Sequence, residues 1–251
     1  MIYFVGAGSG APDLITVRGA RLLSEADVIV YAGSLVNPAL LDYKKDGCEV
    51  YNSAKMTLEE VIAVMAPAAK AGKTVVRLHT GDPCVYGAHR EQMDELDRLG
   101  LAYEVCPGVS SFCGAAAALK AEYTLPNVSQ SVILTRMEGR TPVPEKEQIE
   151  SFAAHGATMV IFLSAGQLAR LSERLIAGGY APDTPAAIVY KATWPDEKVV
   201  RTTVADLAEA GAREGITKTA LITVGGFLGT EYERSKLYDP TITTEFREAS
   251  R

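Results

Sequence analysis

Short runs of β-branched and aromatic residues alternate with longer amphipathic segments along most of the chain, and this alternation constrains the fold more than any other feature. In the first half, strands are predicted at residues 2–5, 28–31, 74–78 and 103–105. The segments between these runs are long enough for helices. Such alternation is typical of an α/β fold with a largely parallel sheet.

Local signals mark the helices of the first half. Thr57 and Glu60 have the spacing of a capping box, which satisfies the first amide groups of a helix, and that helix is expected to end near Gly72. A second helix is predicted at residues 88–99, and an alanine-rich one follows Pro107 and Gly108 and runs to about Lys120.

The pattern breaks near residues 121–127, and we predict an N-terminal domain at residues 1–122, a C-terminal domain at 123–230 and a polar tail at 231–251. Strands of the second half are predicted at 131–135, 158–163, 186–190, 198–203 and 220–224, with helices near 145–154, 165–177 and 205–213. Residues 194–197 connect two strands with no room for a crossover helix, so that pair is expected to be antiparallel. The second sheet is therefore predicted to be mixed.

Charge and cysteine content narrow the class of protein. The 251 residues carry a net charge of -6, which gives no overall attraction to nucleic acid. The four cysteines show no metal-binding or redox spacing, which is typical of a reduced cytoplasmic protein. We expect no membrane span, since no apolar run approaches roughly 18 residues, and no signal peptide.

The glycine-rich residues 6–10 follow the first strand, where absent side chains let the backbone approach a ligand and a helix start would offer free amides. A nicotinamide dinucleotide site is one interpretation, with Asp27 as the ribose-binding carboxylate. Asp27, however, precedes the second strand, whereas that carboxylate should follow it. A different ligand or a plain tight turn remain as alternatives.

Two further loops follow strands: residues 80–87, beginning Thr80-Gly81-Asp82, and residues 107–111. Open α/β sheets bind ligands at the carboxyl ends of their strands, so both loops are predicted to line one ligand site. Asp82 lies too far before the helix predicted at residue 88 to act as its cap.

Other catalytic arrangements are not supported. His79, Cys84 and His89 match no common metal-site spacing, and no metal is expected. Ser110 has no evident base partner, so a nucleophilic triad is not predicted.

Basic residues cluster in two loops of the second half. Arg136 and Arg140 follow a strand, and Lys191, Lys198 and Arg201 flank the connection at Trp194. Solvated surface charge is one interpretation, but guanidinium groups suit carboxylates and the first loop is shaped by Gly139 and two prolines. We therefore predict an anionic substrate.

Taken together, these motifs resemble the tetrapyrrole methylase family, which uses S-adenosyl-L-methionine to methylate uroporphyrinogen and precorrin macrocycles. The resemblance covers nearly the whole chain. Residues 135–144 (TRMEGRTPVP) and 190–198 (YKATWPDEK) resemble in particular the family's precorrin-4 C11-methyltransferases of cobalamin synthesis. Ser9 and Gly33 depart from the family, which usually has proline and aspartate there.

The resemblance implies two α/β domains, a homodimer, and S-adenosyl-L-methionine in a cleft between the domains. It implies cofactor contacts at Gly8, Ser9, Thr80, Gly81, Asp82, Val85, Ser110, Ser111, Leu163 and Ala192. No catalytic acid or base is expected. The hypothesis for the substrate, an anionic tetrapyrrole, is that its carboxylates are held by Arg136, Arg140, Lys191 and Arg201.

Three alternatives stay open: methylation of another tetrapyrrole position, an NAD-linked oxidoreductase, and a tetrapyrrole carrier without catalysis. The sequence does not distinguish a substrate that carries cobalt from one that is metal-free.

Overall fold

A computed structural model describes residues 1–250 of the chain. They form two compact units. The first comprises Met1–Ala115 together with Ala192–Asp196, and the second comprises Ala116–Lys191 and the chain from Glu197 onward. The division predicted at residue 122 does not include this return of residues 192–196 to the first unit.

The first unit contains a five-stranded sheet in the order β3-β2-β4-β1-β5, and every neighbouring pair is parallel. Its strands are β1 (Ile2–Gly6), β2 (Val28–Tyr31), β3 (Glu49–Asn52), β4 (Val75–His79) and β5 (Tyr103–Cys106). Its helices are α1 (Val17–Glu25), α2 (Leu58–Lys70) and α3 (Arg90–Arg98), and α4 (Ser111–Leu119) begins in this unit.

Core clusters cover both faces of the central strands of the first sheet. One core cluster joins Leu22 and Leu23 of α1 to Val76 and Leu78 of β4. The other joins Met65 of α2 and Leu96 of α3 to strand residues that include Phe4, Val28 and Val75. β1 and β4 therefore lie at the centre of the unit, with their carboxyl ends at one edge.

The second unit contains a sheet in the order β6-β7-β10-β8-β9, in which β6 and β7 are parallel and the other neighbours antiparallel. Its strands are β6 (Val132–Arg136), β7 (Thr158–Phe162), β8 (Pro185–Tyr190), β9 (Lys198–Thr203) and β10 (Ala220–Val224). Helices α5 (Ile149–Ala153), α6 (Leu168–Ala177) and α7 (Leu207–Arg213) share one core cluster on the same face of the sheet. The predicted fold class, a parallel and a mixed α/β unit, is confirmed.

The helix start predicted from the spacing of Thr57 and Glu60 is confirmed. The capping box is present: Thr57 accepts from the Glu60 amide at 3.3 Å and the Glu60 carboxylate accepts from the Thr57 amide at 2.7 Å. The helices predicted at 145–154 and 165–177 each begin with a 3-10 turn instead. None of the described helices combines the length and apolar character that crossing a bilayer would require.

Candidate ligand site at the strand ends

Three backbone segments meet at the carboxyl edge of the first sheet. A Cβ on Gly6, the last residue of β1, would lie 2.6 Å from backbone atoms of both Gly108 and Gly81. A Cβ on Gly108 would lie 2.3 Å from the Gly81 carbonyl oxygen. No side chain fits at Gly6 or Gly108, so at these positions the loops after β1, β4 and β5 pack backbone against backbone. The loops predicted to line one site are therefore brought together.

The first two of these loops are also hydrogen-bonded to each other. The Gly8 amide donates to the Gly81 carbonyl at 3.2 Å, and the Gly81 amide donates back to the Gly8 carbonyl at 3.0 Å. The Ala7 amide donates to the His79 carbonyl at 2.7 Å. This bridge extends the pairing of β1 and β4 beyond the strands and fixes the backbone that a ligand would meet.

Asp82 ties the second loop to the third. Its carboxylate accepts from the Cys84 amide at 2.8 Å and from the Gly108 amide at 2.8 Å. Burial opposes ionisation, but the hydrogen bonds from Cys84 and Gly108 outweigh it and hold the pKa of Asp82 below its ordinary value. The carboxylate is therefore an anionic brace between two loops.

The other predicted contacts of the first unit lie on the same loops. Ser9 and Ser110 are buried, whereas Thr80, Val85 and Ser111 are half-buried. Ser111 begins α4, directly after the third loop.

The glycine loop does not lie at a helix start, contrary to the prediction. A 3-10 turn at Pro12–Leu14 follows it, and α1 begins only at Val17 with Thr16 as its cap. The free amides of α1 are thus separated from the loop. The groups that this loop can present to a ligand are its own backbone amides and carbonyls. Its backbone is left-handed at Gly8.

Residues 192–196 lie against the glycine loop. The Thr193 hydroxyl is 3.2 Å from the Ser9 hydroxyl and accepts from the Ala11 amide at 3.0 Å. A Cβ on Gly10 would lie 2.2 Å from Trp194 and 2.7 Å from the Ala192 carbonyl oxygen. Ala192, predicted from the resemblance as a cofactor contact, is therefore part of the same loop cluster as Gly8 and Ser9.

Asp27 has a structural role. Its carboxylate pairs with Lys45 at 2.7 Å and accepts from the Thr74 amide at 2.8 Å, at the amino ends of the strands. The hydrogen bonds from Lys45 and Thr74 lower its pKa. Asp27 lies at the edge opposite the glycine loop, so it is not the ribose-binding carboxylate on which the nicotinamide interpretation depended. At Gly33, a Cβ would lie 2.2 Å from the Asn52 side chain, so Asn52 fills the space of a side chain there.

The second unit carries a strained edge. Leu163 follows β7, Lys191 follows β8 and Thr219 precedes β10, and their φ angles are 54°, 45° and 56°. The Lys191 amide donates to the Thr219 carbonyl at 2.9 Å, so the last two are neighbours. Leu163 is 64% exposed, an unusual place for a large apolar side chain. Left-handed backbone at non-glycine residues costs energy and is found at ligand sites.

The four basic residues that are predicted to bind the substrate differ in what they contact. Arg136 donates to the carbonyls of its own loop, and Arg201 donates to the Leu119 carbonyl at 2.8 Å, at the end of α4. The Lys191 ammonium lies 5.4 Å from the centre of the Tyr190 ring. Arg140 is exposed, and no hydrogen bond or ion pair within residues 1–250 involves it. The hypothesis of a fourfold clamp is therefore weakest at Arg136 and Arg201, whose guanidinium groups already hold backbone.

A feature that the sequence reasoning missed is the ion-pair network beside Arg136. Glu138 pairs with Arg170 and Arg174 of α6, and Arg174 also pairs with Glu150 at 2.6 Å. The signal was present, since Glu138 lies within the singled-out loop, but its partners are more than thirty residues away. No group of three or more His, Cys, Asp or Glu side chains within residues 1–250 could hold a metal ion.

Comparisons with known proteins agree on one family. The model of the tetrapyrrole (corrin/porphyrin) methylases matches residues 1–208. A cobalt-precorrin-4 C(11)-methyltransferase of Methanocaldococcus jannaschii is 55% identical over 99% of this chain and 96% of its own length. A precorrin-4 C(11)-methyltransferase of a Sinorhizobium species is 46% identical over 98% of both.

Solved structures give the same result. The X-ray structure of a cobalt precorrin-4 methyltransferase, a cobalamin biosynthetic enzyme, matches with a TM-score of 0.89 and 51% identity over 91% of this chain and 96% of that one. A uroporphyrin-III C-methyltransferase of Thermus thermophilus, complexed with S-adenosyl homocysteine, matches with a TM-score of 0.76 and 28% identity over 90% and 92% of the two chains.

Proposed function

The chain belongs to the tetrapyrrole methylase family, and on that basis we propose that it is the methyltransferase that acts on C11 of precorrin-4, using S-adenosyl-L-methionine as methyl donor. The observation that carries this proposal is 55% identity to a cobalt-precorrin-4 C(11)-methyltransferase over 99% of the chain. Both cobalt and metal-free substrates occur among the names of its relatives, and the proposal includes both.

The loop cluster of the first unit fits such a donor. A Cβ at Gly6 or Gly108 would overlap neighbouring backbone, so the three loops pack closely together and present main-chain groups at the carboxyl edge of the sheet. We assign donor binding to Gly8, Ser9, Thr80, Gly81, Asp82, Val85, Ser110, Ser111 and Ala192, and in the second unit to Leu163.

When bound, the donor would supply an electrophilic sulfonium methyl group: C11 of the macrocycle would take the methyl as the carbon–sulfur bond breaks, S-adenosylhomocysteine would leave, and the macrocycle would release a proton to solvent. The protein's part is to hold the two reactants, and alignment of reacting atoms about 3 to 3.5 Å apart can contribute roughly 7 to 11 kcal/mol. Asp82 keeps two loops in place with its ionised carboxylate. No acid or base on the protein is required.

Arg140 is a better candidate for holding a substrate carboxylate than Arg136 or Arg201, because those two donate to backbone carbonyls. Lys191 stays a proposed contact on the resemblance alone. We also propose that the protein acts in the cytoplasm as a homodimer, which light scattering of the purified protein tests.

The decisive experiment begins with calorimetric titration with S-adenosylhomocysteine, with NADH as the control ligand. We expect micromolar binding of S-adenosylhomocysteine alone. Methylation of precorrin-4 and of its cobalt complex is then followed by mass spectrometry, with the methylated carbon located by NMR. A folded protein that binds porphyrinoid but not S-adenosylhomocysteine would be a carrier, and the proposal would be wrong.

A further inference from the structure

Residues 136–144, which comprise the last residue of β6 and the loop after it, are held in shape by the Arg136 side chain. Its guanidinium donates to the carbonyls of Met137 and Thr141, both at 3.1 Å, and of Pro142 at 2.8 Å. The Gly139 amide also donates to the Thr141 carbonyl at 3.2 Å. The loop therefore has a defined internal shape, with Arg140 between its hydrogen-bonded residues.

The same loop is attached to helix α6 through Glu138. One oxygen of its carboxylate accepts from Arg170 and from Arg174, and its backbone carbonyl accepts from the Gln167 side chain at 3.3 Å. The hydrogen bond from Arg174 is the main cause of the lowered pKa of Glu138, so the carboxylate is ionised. The attachment is a charged one.

Arg174 does not depend on Glu138 for its own place. It is mostly buried, and it donates to both oxygens of Glu150, each at 2.6 Å. Loss of the Glu138 charge would leave Arg174 paired with Glu150, so α5 and α6 would keep their contact. The change would fall on the loop alone.

The second carboxylate oxygen of Glu138, Oε2, is buried without a hydrogen-bond partner. A buried oxygen without a partner costs stability, so the interactions of Oε1 with Arg170 and Arg174 must offset that cost. Glutamine has the same shape as glutamate and can still accept hydrogen bonds at one atom. The substitution Glu138→Gln therefore removes the negative charge and leaves the size of the side chain unchanged.

We infer that Glu138 is a positioning residue: through Arg170 and Arg174 it fixes the loop of residues 136–144 so that Arg140 meets a carboxylate of the macrocycle. This inference rests on the proposed function. Arg140 contacts the substrate directly, Arg136 shapes the loop and Glu138 sets its place.

The test is the variant Glu138→Gln, with Glu173→Gln as the matched control that removes one negative charge from an exposed position on α6, the helix to which Glu138 is bound. Three quantities are measured: KM and kcat for precorrin-4, affinity for S-adenosylhomocysteine, and amide hydrogen exchange of residues 136–144. We expect KM to rise about tenfold, because small displacements of a positioning group cost such factors. Affinity for S-adenosylhomocysteine stays within about twofold, and exchange becomes faster in the loop but not in α6.

Unchanged exchange in the loop, or faster exchange with an unchanged KM, would overturn the inference. So would a loss of S-adenosylhomocysteine affinity as large as the rise in KM, which would mark a general structural defect. If the unaltered protein methylates no precorrin, the proposed function fails. The positioning role is then judged by affinity for uroporphyrin, an octacarboxylate macrocycle with its own fluorescence, which must be weaker in Glu138→Gln than in Glu173→Gln.

Discussion

The indole of Trp194 occupies the space in which Gly10 would carry a side chain: a Cβ there would lie 2.2 Å from Cδ1 of Trp194 and 2.4 Å from Nε1. Gly10 also has a φ of 154°, which disfavours other residues. Gly10 and Trp194, which are far apart in the sequence, can therefore pack together only because Gly10 has no side chain.

Gly10→Ala is therefore expected to displace residues 192–196. Overpacking of this kind costs about 1 to 3 kcal/mol of unfolding free energy. Because Trp194 is the only tryptophan, its emission should shift to longer wavelength. Gly47→Ala is the control, since Gly47 also has positive φ but nothing lies within 4 Å of its Cβ position. Identical emission spectra for both variants would contradict the expectation.

Asp82→Asn should weaken binding of S-adenosylhomocysteine about tenfold, because an amide can accept from only one of the two backbone N–H groups that the carboxylate now bridges. Calorimetry measures the effect. Asp94→Asn, which removes an exposed partner of Arg90 on α3, should bind as the unaltered protein does. Equal affinities in the two variants would show that the brace does not matter to the ligand.

Leu163→Gly separates stability from binding. Glycine relieves a left-handed backbone that costs about 1 to 2 kcal/mol but adds flexibility to the unfolded chain, so the unfolding free energy should change by less than about 1 kcal/mol. Affinity for S-adenosylhomocysteine should fall severalfold. Lys120→Gly, at φ 51° after α4, controls for the backbone change alone. A Leu163→Gly protein with full affinity would remove Leu163 from the site.

Substitution of Arg140 should change substrate binding, whereas substitution of Arg136 should change stability. Arg140→Ala is expected to raise KM for precorrin-4 about tenfold with no change in Tm, because the side chain is exposed and makes no hydrogen bond or ion pair with another described residue. Arg136→Ala should lower Tm, because three hydrogen bonds to loop carbonyls are lost. Steady-state kinetics and thermal unfolding check this, and an unchanged KM in both variants would rule out the carboxylate contact.

His79 should make stability fall in mild acid. Burial, assisted by nearby Arg77, lowers the pKa of His79 to about 3 in the folded protein. The unfolded chain takes up a proton near pH 6.5 and the folded one does not, so unfolding free energy falls by about 2 kcal/mol between pH 7 and pH 5. The carboxylates with lowered pKa values lose their contribution only at lower pH.

Urea unfolding at pH 7 and pH 5 measures this difference, and His79→Gln should reduce it by about the same amount. A variant with the full pH dependence would contradict the assignment to His79.

Structural features that depend only on residues close together in the sequence could be predicted from it. The capping box at Thr57 and the strand at residues 220–224 depend on local spacing and apolar runs, and both are found as predicted. Strand β3 was missed because Glu49–Asn52 is short, half exposed and stabilised by pairing with β2. The spacing of apolar residues within the segment gives no information about its pairing with β2.

The roles of charged residues were harder to predict for the same reason. Arg136 and Arg140 are equivalent in sequence, both beside a glycine-containing loop, but one guanidinium turns inward to carbonyls and the other does not. Asp27 shows the converse: its place before β2 was enough to predict that it could not bind a ribose. The position of a residue relative to a strand could be predicted from the sequence, whereas the direction of its side chain could not.

Residues 192–196 belong to the first unit although the rest of that unit ends at Ala115. During synthesis, the glycine loop of the first unit therefore waits for its last packing partners until the ribosome has made most of the second unit. A nascent chain arrested near residue 120 should have a formed parallel sheet and an uncovered Ser9–Gly10 turn. If the first unit binds the donor as proposed, binding would need residues 192–196 and could begin only late in translation.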